Sequence, residues 1–159
     1  MKYSITASLL ITFFFACVSP KKAIPSAISV VSLQNYQLNP GISFNNDINY
    51  SFIGHADTFY KMFSMTKASG GTAIVPDFSA QSVVAIVLKP TEKVLSVEIN
   101  KAEITGENLN IYYTTTDTTT WKTYLQIPMV VATVPKSLSV KQVNFYNHGN
   151  REKTIAASY

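Results

Sequence analysis

Val83-Val84-Ala85-Ile86-Val87-Leu88 is the stretch on which the fold turns. Six apolar residues in a row, four of them β-branched, favour extended backbone. With no polar residue at either parity, both faces of such a strand must be covered, which predicts a central strand. Downstream the pattern changes to alternation. Leu95, Val97 and Ile99 alternate with Ser96, Glu98 and Asn100, and Leu109, Ile111 and Tyr113 with Asn110, Tyr112 and Thr114. Each reads as a half-buried strand, and Gly106-Glu107-Asn108 between them reads as a hairpin turn. Trp121 to Ile127 and Met129 to Val134 are two further strand candidates, separated by Pro128. Val140 to Phe145 is a last one, before the turn Asn147-His148-Gly149-Asn150. Upstream, Tyr50 and Phe52 fit a short strand, with Ile42 and Phe44 as weaker candidates. Phe59, Met62 and Phe63 fall at i, i+3 and i+4, one face of a short helix that ends by Ser69-Gly70-Gly71. The fold class expected is mainly β, α+β at most: an antiparallel β-sandwich or partly closed barrel with one short helix.

Composition agrees with one such domain, expected over residues 33–159. The chain has 159 residues, 47% hydrophobic and only 14% charged, which excludes a disordered charged tail as its main content. Thirteen basic residues stand against nine acidic, scattered with no block longer than Lys21-Lys22. A nucleic-acid groove needs clustering, so no nucleic-acid partner is expected. A single cysteine, Cys17, excludes an internal disulfide and a Cys-type zinc site.

The N-terminus reads as a targeting segment. Lys2 precedes an apolar run from Ser4 to Phe15 that is too short to span a bilayer, as in a secretory signal. The run ends in Phe14-Phe15-Ala16-Cys17, which resembles the lipobox of bacterial lipoproteins in the looser form of Bacteroidota-type bacteria. Phe14 and Phe15 replace the usual Leu and small residue. The resemblance implies that residues 1–16 are a signal peptide and that Cys17 is acylated. The chain would then be anchored in the cell envelope, outer membrane rather than inner, facing the periplasm or the surface. Residues 17–32, with Pro20, Lys21, Lys22 and Pro25, are expected to be a solvated tether.

Chemistry-bearing constellations are sparse. His55 and His148 sit in turn-like contexts, no His pair occurs at i, i+4, and no Gly-x-Ser-x-Gly elbow or cofactor motif is present. Neither catalytic residues nor cofactor or metal ligands are assigned, although a triad assembled only in space, and hence an envelope hydrolase, stays open. Asp77 is expected to cap a turn through its own backbone. Thr114 to Thr120 reads first as an exposed hairpin loop, alternatively as a continued strand. Asp117-Thr118-Thr119 within it resembles a Bacteroidota O-glycosylation acceptor at Thr118. Trp121, Tyr112, Tyr113 and Tyr124 suit either a core or a partner-facing aromatic surface, with core preferred for most.

One family resemblance spans roughly residues 50–137. Pro76-Asp77-Phe78-Ser79, Val83 to Leu88, Ser96-Val97-Glu98-Ile99, Leu109 to Tyr113, Pro128 and Val134-Pro135-Lys136-Ser137 follow in the order seen in the PrcB C-terminal domain family. The family's namesake is a subunit of a spirochaete surface protease complex, and the domain occurs in many bacterial lipoproteins. The family's Gly-rich loop is replaced here by Lys89-Pro90-Thr91-Glu92-Lys93, which keeps Pro-Thr but loses the glycines. The resemblance implies a non-catalytic, protein-binding lipoprotein, an accessory subunit or inhibitor of a secreted protease, with residues 89–93 as the candidate partner-facing loop. A structural or small-ligand-binding lipoprotein is the other reading.

Overall fold

The computed structural model describes residues 23–66 and 73–159. Residues 1–16, expected to be a signal peptide, Cys17 and Ser69-Gly70-Gly71 lie outside the described residues. The rest builds three layers. Sheet A has five strands in the order β1-β7-β8-β10-β11, and sheet B four, β2-β9-β6-β4. In chain order β1 is Ser26–Ile28, β2 Val31–Ser32, β3 Tyr36–Leu38 and β4 Ile48–Ile53. Helix α1 is Ala56–Met62, and β5 is Phe63–Met65. Then come β6 Gln81–Leu88, β7 Thr91–Thr105, β8 Asn108–Gln126, β9 Met129–Pro135, β10 Gln142–Asn147 and β11 Asn150–Ala156. β3 and β5 pair as a separate two-stranded ribbon.

Strand β6 shows why the layers form. It lies between β4 and β9, and residues 82–88 are all buried. Val84, Ile86 and Leu88 face sheet A and meet Leu109, Ile111, Tyr113, Val143 and Phe145. Val83, Ala85 and Val87 face the opposite way, onto Phe59 and Phe63 and onto Tyr36. Sheet B is thus the middle layer, which is what the unbroken apolar run demands. Neither sheet closes into a barrel.

The β7–β8 hairpin turns at Gly106-Glu107, where Thr105 opposes Asn108 and Gly106 has φ +60. A positive φ at the first turn position suits glycine and matches the twist of the flanking strands. The outer face of sheet A carries cross-strand rows. Glu103, Asn110, Asn144 and Thr154 are in register, and Asn144 Nδ2 donates to Asn110 Oδ1 at 3.0 Å while Thr154 donates to Asn144 Oδ1 at 2.7 Å. The next row is Lys101, Tyr112, Tyr146 and Arg151, with the two tyrosine rings stacked 4.9 Å apart. Such pairs are the unit of sheet stabilisation.

Several expectations are corrected. Residues 26–28 and 31–32, assigned to the tether, pair with β7 and β9, so the folded region starts before residue 33. These strands of three and two residues are too short to show alternation. Ile42 and Phe44 form no strand, and Phe63 already belongs to β5. Residues 114–120 are not a loop: they lie inside β8, which also absorbs Trp121–Gln126. β10 runs parallel to β8, and β11, a strand absent from the reading above, completes the sheet.

Candidate functional site

The last third of the hairpin leaves the sandwich. From Leu95 toward Thr91, β7 is paired only with β8 among the described residues, forming a two-stranded arm.

 In this arm Leu95 opposes Asp117, Lys93 opposes Trp121 and Thr91 opposes Gln126, so ten residues of β8 face five of β7. The surplus is taken up in bulges, which bend a strand and re-aim its side chains. Local side chains satisfy the backbone that the bulges free. Thr118 Oγ1 donates to the Val94 carbonyl at 3.0 Å, Gln126 Nε2 donates to the Lys93 carbonyl at 2.7 Å, and the Lys93 N–H donates to Thr91 Oγ1 at 3.1 Å.

The arm holds the largest concentration of exposed apolar side chains among the described residues. Trp121, Tyr124 and Leu125 are 63%, 60% and 65% exposed, and Ile127, just past the end of β8, is 41% exposed. Two lysines lie over the rings: Lys93 Nζ is 5.5 Å from the Trp121 ring centre and Lys122 Nζ 5.2 Å from that of Tyr124. Lys93 also pairs with Asp117 at 3.3 Å. At such exposure this pair contributes little to stability.

Beside the arm a cleft of about 670 Å³ opens between the sheets. Three runs of consecutive residues line most of it: 32–36, 95–99 and 127–132. A strand that showed only one face would contribute alternate residues. Consecutive ones mean that its backbone edge looks into the cleft. The cause is the path of β1, which pairs with β7 only at Ala102–Ile104 before the chain crosses to sheet B. Among the described residues, no strand pairs with that side of β7 beyond this point.

The residues singled out from sequence separate into three groups. Thr91, Glu92, Lys93 and Thr118 come together in the arm, with Thr91, Glu92 and Lys93 in β7 rather than in a loop. Lys89 and Pro90 form the link from β6, and Lys89 pairs with Asp47 at 2.7 Å on the surface. Cys17 lies outside the described residues. The four aromatic residues also divide. Tyr113 is buried and shares a 2.6 Å hydrogen bond with Tyr50. Tyr112 lies half-buried on the outer face of sheet A, and Trp121 and Tyr124 are exposed, so the preference for a core role fails for those two.

The titratable groups are settled locally. Tyr112 donates to Glu103 Oε1 at 2.7 Å and is pushed up to about 12, chiefly by that hydrogen bond. Hydrogen bonds from Lys101 and Tyr112 hold the Glu103 carboxyl below its usual range. Burial, then the bond to Tyr50, drives Tyr113 far above the ordinary phenol value. Asp77 Oδ1 accepts from the Ser79 N–H at 2.9 Å and from the Ser79 hydroxyl at 2.6 Å, a turn-forming arrangement that lowers its pKa. His55 precedes α1, and His148 occupies a turn position with φ +47. Among the described residues no three His, Cys, Asp or Glu side chains cluster as metal ligands. No helix among them is long and apolar enough to cross a membrane.

No family model, no curated protein and no solved structure matches the chain.

Proposed function

We propose that the chain is a lipid-anchored lipoprotein of the cell envelope whose β domain is a non-catalytic module that binds another protein. The arm carries this reading: Trp121, Tyr124 and Leu125, each more than half exposed, share one bulged ribbon beside an open cleft. Covering a large apolar side chain is worth about 1.5–3 kcal/mol, and aromatic residues are enriched at protein interfaces. The resemblance to PrcB C-terminal domains suggests the class of partner, a secreted protease, with this chain as its accessory subunit or inhibitor.

The geometry suits an N-terminal anchor. Ala23 lies against the Gly106 turn, at the end of the hairpin opposite the arm. Cys17 is six residues earlier in sequence, within about 20 Å of chain reach. At about 3.3 Å per residue, the fifteen residues of β7 carry the arm up to roughly 45 Å from that turn. An acylated Cys17 would therefore leave the arm directed away from the lipid.

A photo-crosslinking residue at position 121, introduced in the native host, tests the binding function. The expected result is an adduct with one envelope protease, and none from the same probe at Arg151 on the far edge of sheet A. No adduct from position 121, or the same adducts from both positions, would remove the reading. For the anchor, Cys17→Ala should move the protein out of the detergent phase in a cloud-point partition; an unchanged partition would end that part of the proposal.

A further inference from the structure

The cleft has a chemistry of its own. Along residues 95–99 the exposed side of β7 presents backbone N–H and C=O groups with no strand partner among the described residues. Such an edge is a template for one more strand. The other edge of sheet A is built differently. β11 carries Arg151-Glu152-Lys153, consecutive charges of the kind that blunt unwanted pairing. The open part of β7 reads Leu95-Ser96-Val97-Glu98-Ile99, with apolar residues alternating with polar ones and a single charge.

We infer that this edge accepts an extended segment of a partner polypeptide as an added strand, continuing along β7 the line that β1 abandons after Ile28. The inference deepens the protein-binding reading and rests on it. The occupant's pattern follows from the walls. Leu95, Val97 and Ile99 pack toward the sandwich core, while Ser96 and Glu98 are exposed. A strand laid beside them places alternate side chains inward, over Val130 and Ala132, and the others outward toward solvent. Glu98 has no cation within ion-pair distance among the described residues, so the outward positions favour Lys or Arg. The partner segment thus alternates apolar and basic residues. A second copy of the domain fits less well. The cleft is walled on its other side by residues 32–36 and 127–132, which leaves room for one strand rather than for the edge of a whole sandwich.

The probe is a dye-labelled octapeptide of alternating valine and lysine, titrated into the full chain and followed by fluorescence anisotropy. Saturable binding is expected, together with slowed amide exchange at residues 95–99. Side chains and N–H groups both alternate along a strand with period two. All valine N–H groups of the bound peptide therefore point to one side, and all lysine N–H groups to the other. N-methylation of one set should abolish binding, and N-methylation of the other should leave most of it. Glu98→Lys, on the exposed face, should weaken binding about three- to tenfold without unfolding the domain.

Equal effects of the two methylated peptides, or no binding at all, would overturn the inference. Protection of residues 95–99 by self-association alone would overturn it in favour of a second copy. An adduct at position 121 combined with failure of the octapeptide would sink only the edge inference. Octapeptide binding without any adduct would sink the arm as the binding surface and leave the edge inference standing.

Discussion

The two halves of the β7–β8 hairpin are made of the same two strands and behave as different materials. In the half next to Gly106, β8 is paired on both sides, and its inward residues Leu109, Ile111 and Tyr113 are buried against sheet B. In the arm each strand has only the other. A two-stranded ribbon has no covered face of its own, so most of its β8 side chains stay in solvent and the backbone at its bulges is held by Thr118 and Gln126. The first half serves stability, and the second is free to serve recognition.

The largest test of this contrast compares two aromatic truncations. Phe145→Ala, in the core beside Tyr50, should cost about 3–5 kcal/mol in urea unfolding. Trp121→Ala should stay within about 0.5 kcal/mol while reducing crosslinking from a probe placed at Tyr124. Equal losses of stability from the two would erase the distinction.

Hydroxyls give a smaller version. Tyr113→Phe leaves the Tyr50 hydroxyl without its partner and should cost about 1–3 kcal/mol. Thr118→Val, at an exposed bulge, should cost less than about 0.5 kcal/mol by the same measurement. Between these two lies Gly106→Ala, expected to lose about 1 kcal/mol because its positive φ strains any side chain.

The hydrogen bond between Tyr112 and Glu103 sharpens the comparison through pH. Glu103 has a lowered pKa, so its contribution is present above the usual glutamate value of about 4.3 and is lost as pH falls through the folded value. Tyr112 has a raised one, so its contribution is complete below about 10 and is lost as pH rises through about 12. Thermal unfolding of Glu103→Gln against the parent should show a gap that is constant near neutrality and narrows below pH of about 4. A gap that widens in acid would reverse the assignment.

How much of this was legible follows the same divide. The unbroken run in β6 announced a doubly covered strand, and the alternation on either side of Gly106 announced the hairpin, because burial imposes both patterns. The arm was legible only as an alternative because nothing buries it: Thr114 to Thr120 has the residue type of a strand without the alternation of a half-buried one, so a loop is the first reading there. β11 was missed for a related reason, since its edge position lets Arg151, Glu152 and Lys153 all remain exposed. The cleft could not be read at all. Its walls come from three separate stretches, and what matters there is backbone left without a neighbour, which no side-chain pattern records.

The parallel contact between β8 and β10 has a kinetic consequence. After β8 the chain crosses to sheet B as β9 and then returns to sheet A as β10. Neither sheet can be finished without its strand from the other side of that crossing, and β2 must wait for β9 near the far end of the chain. Pairings so distant in sequence close late, and domains dominated by them acquire their native state in milliseconds to seconds rather than microseconds. The two sheets should therefore form and melt as a single unit, with no stable half.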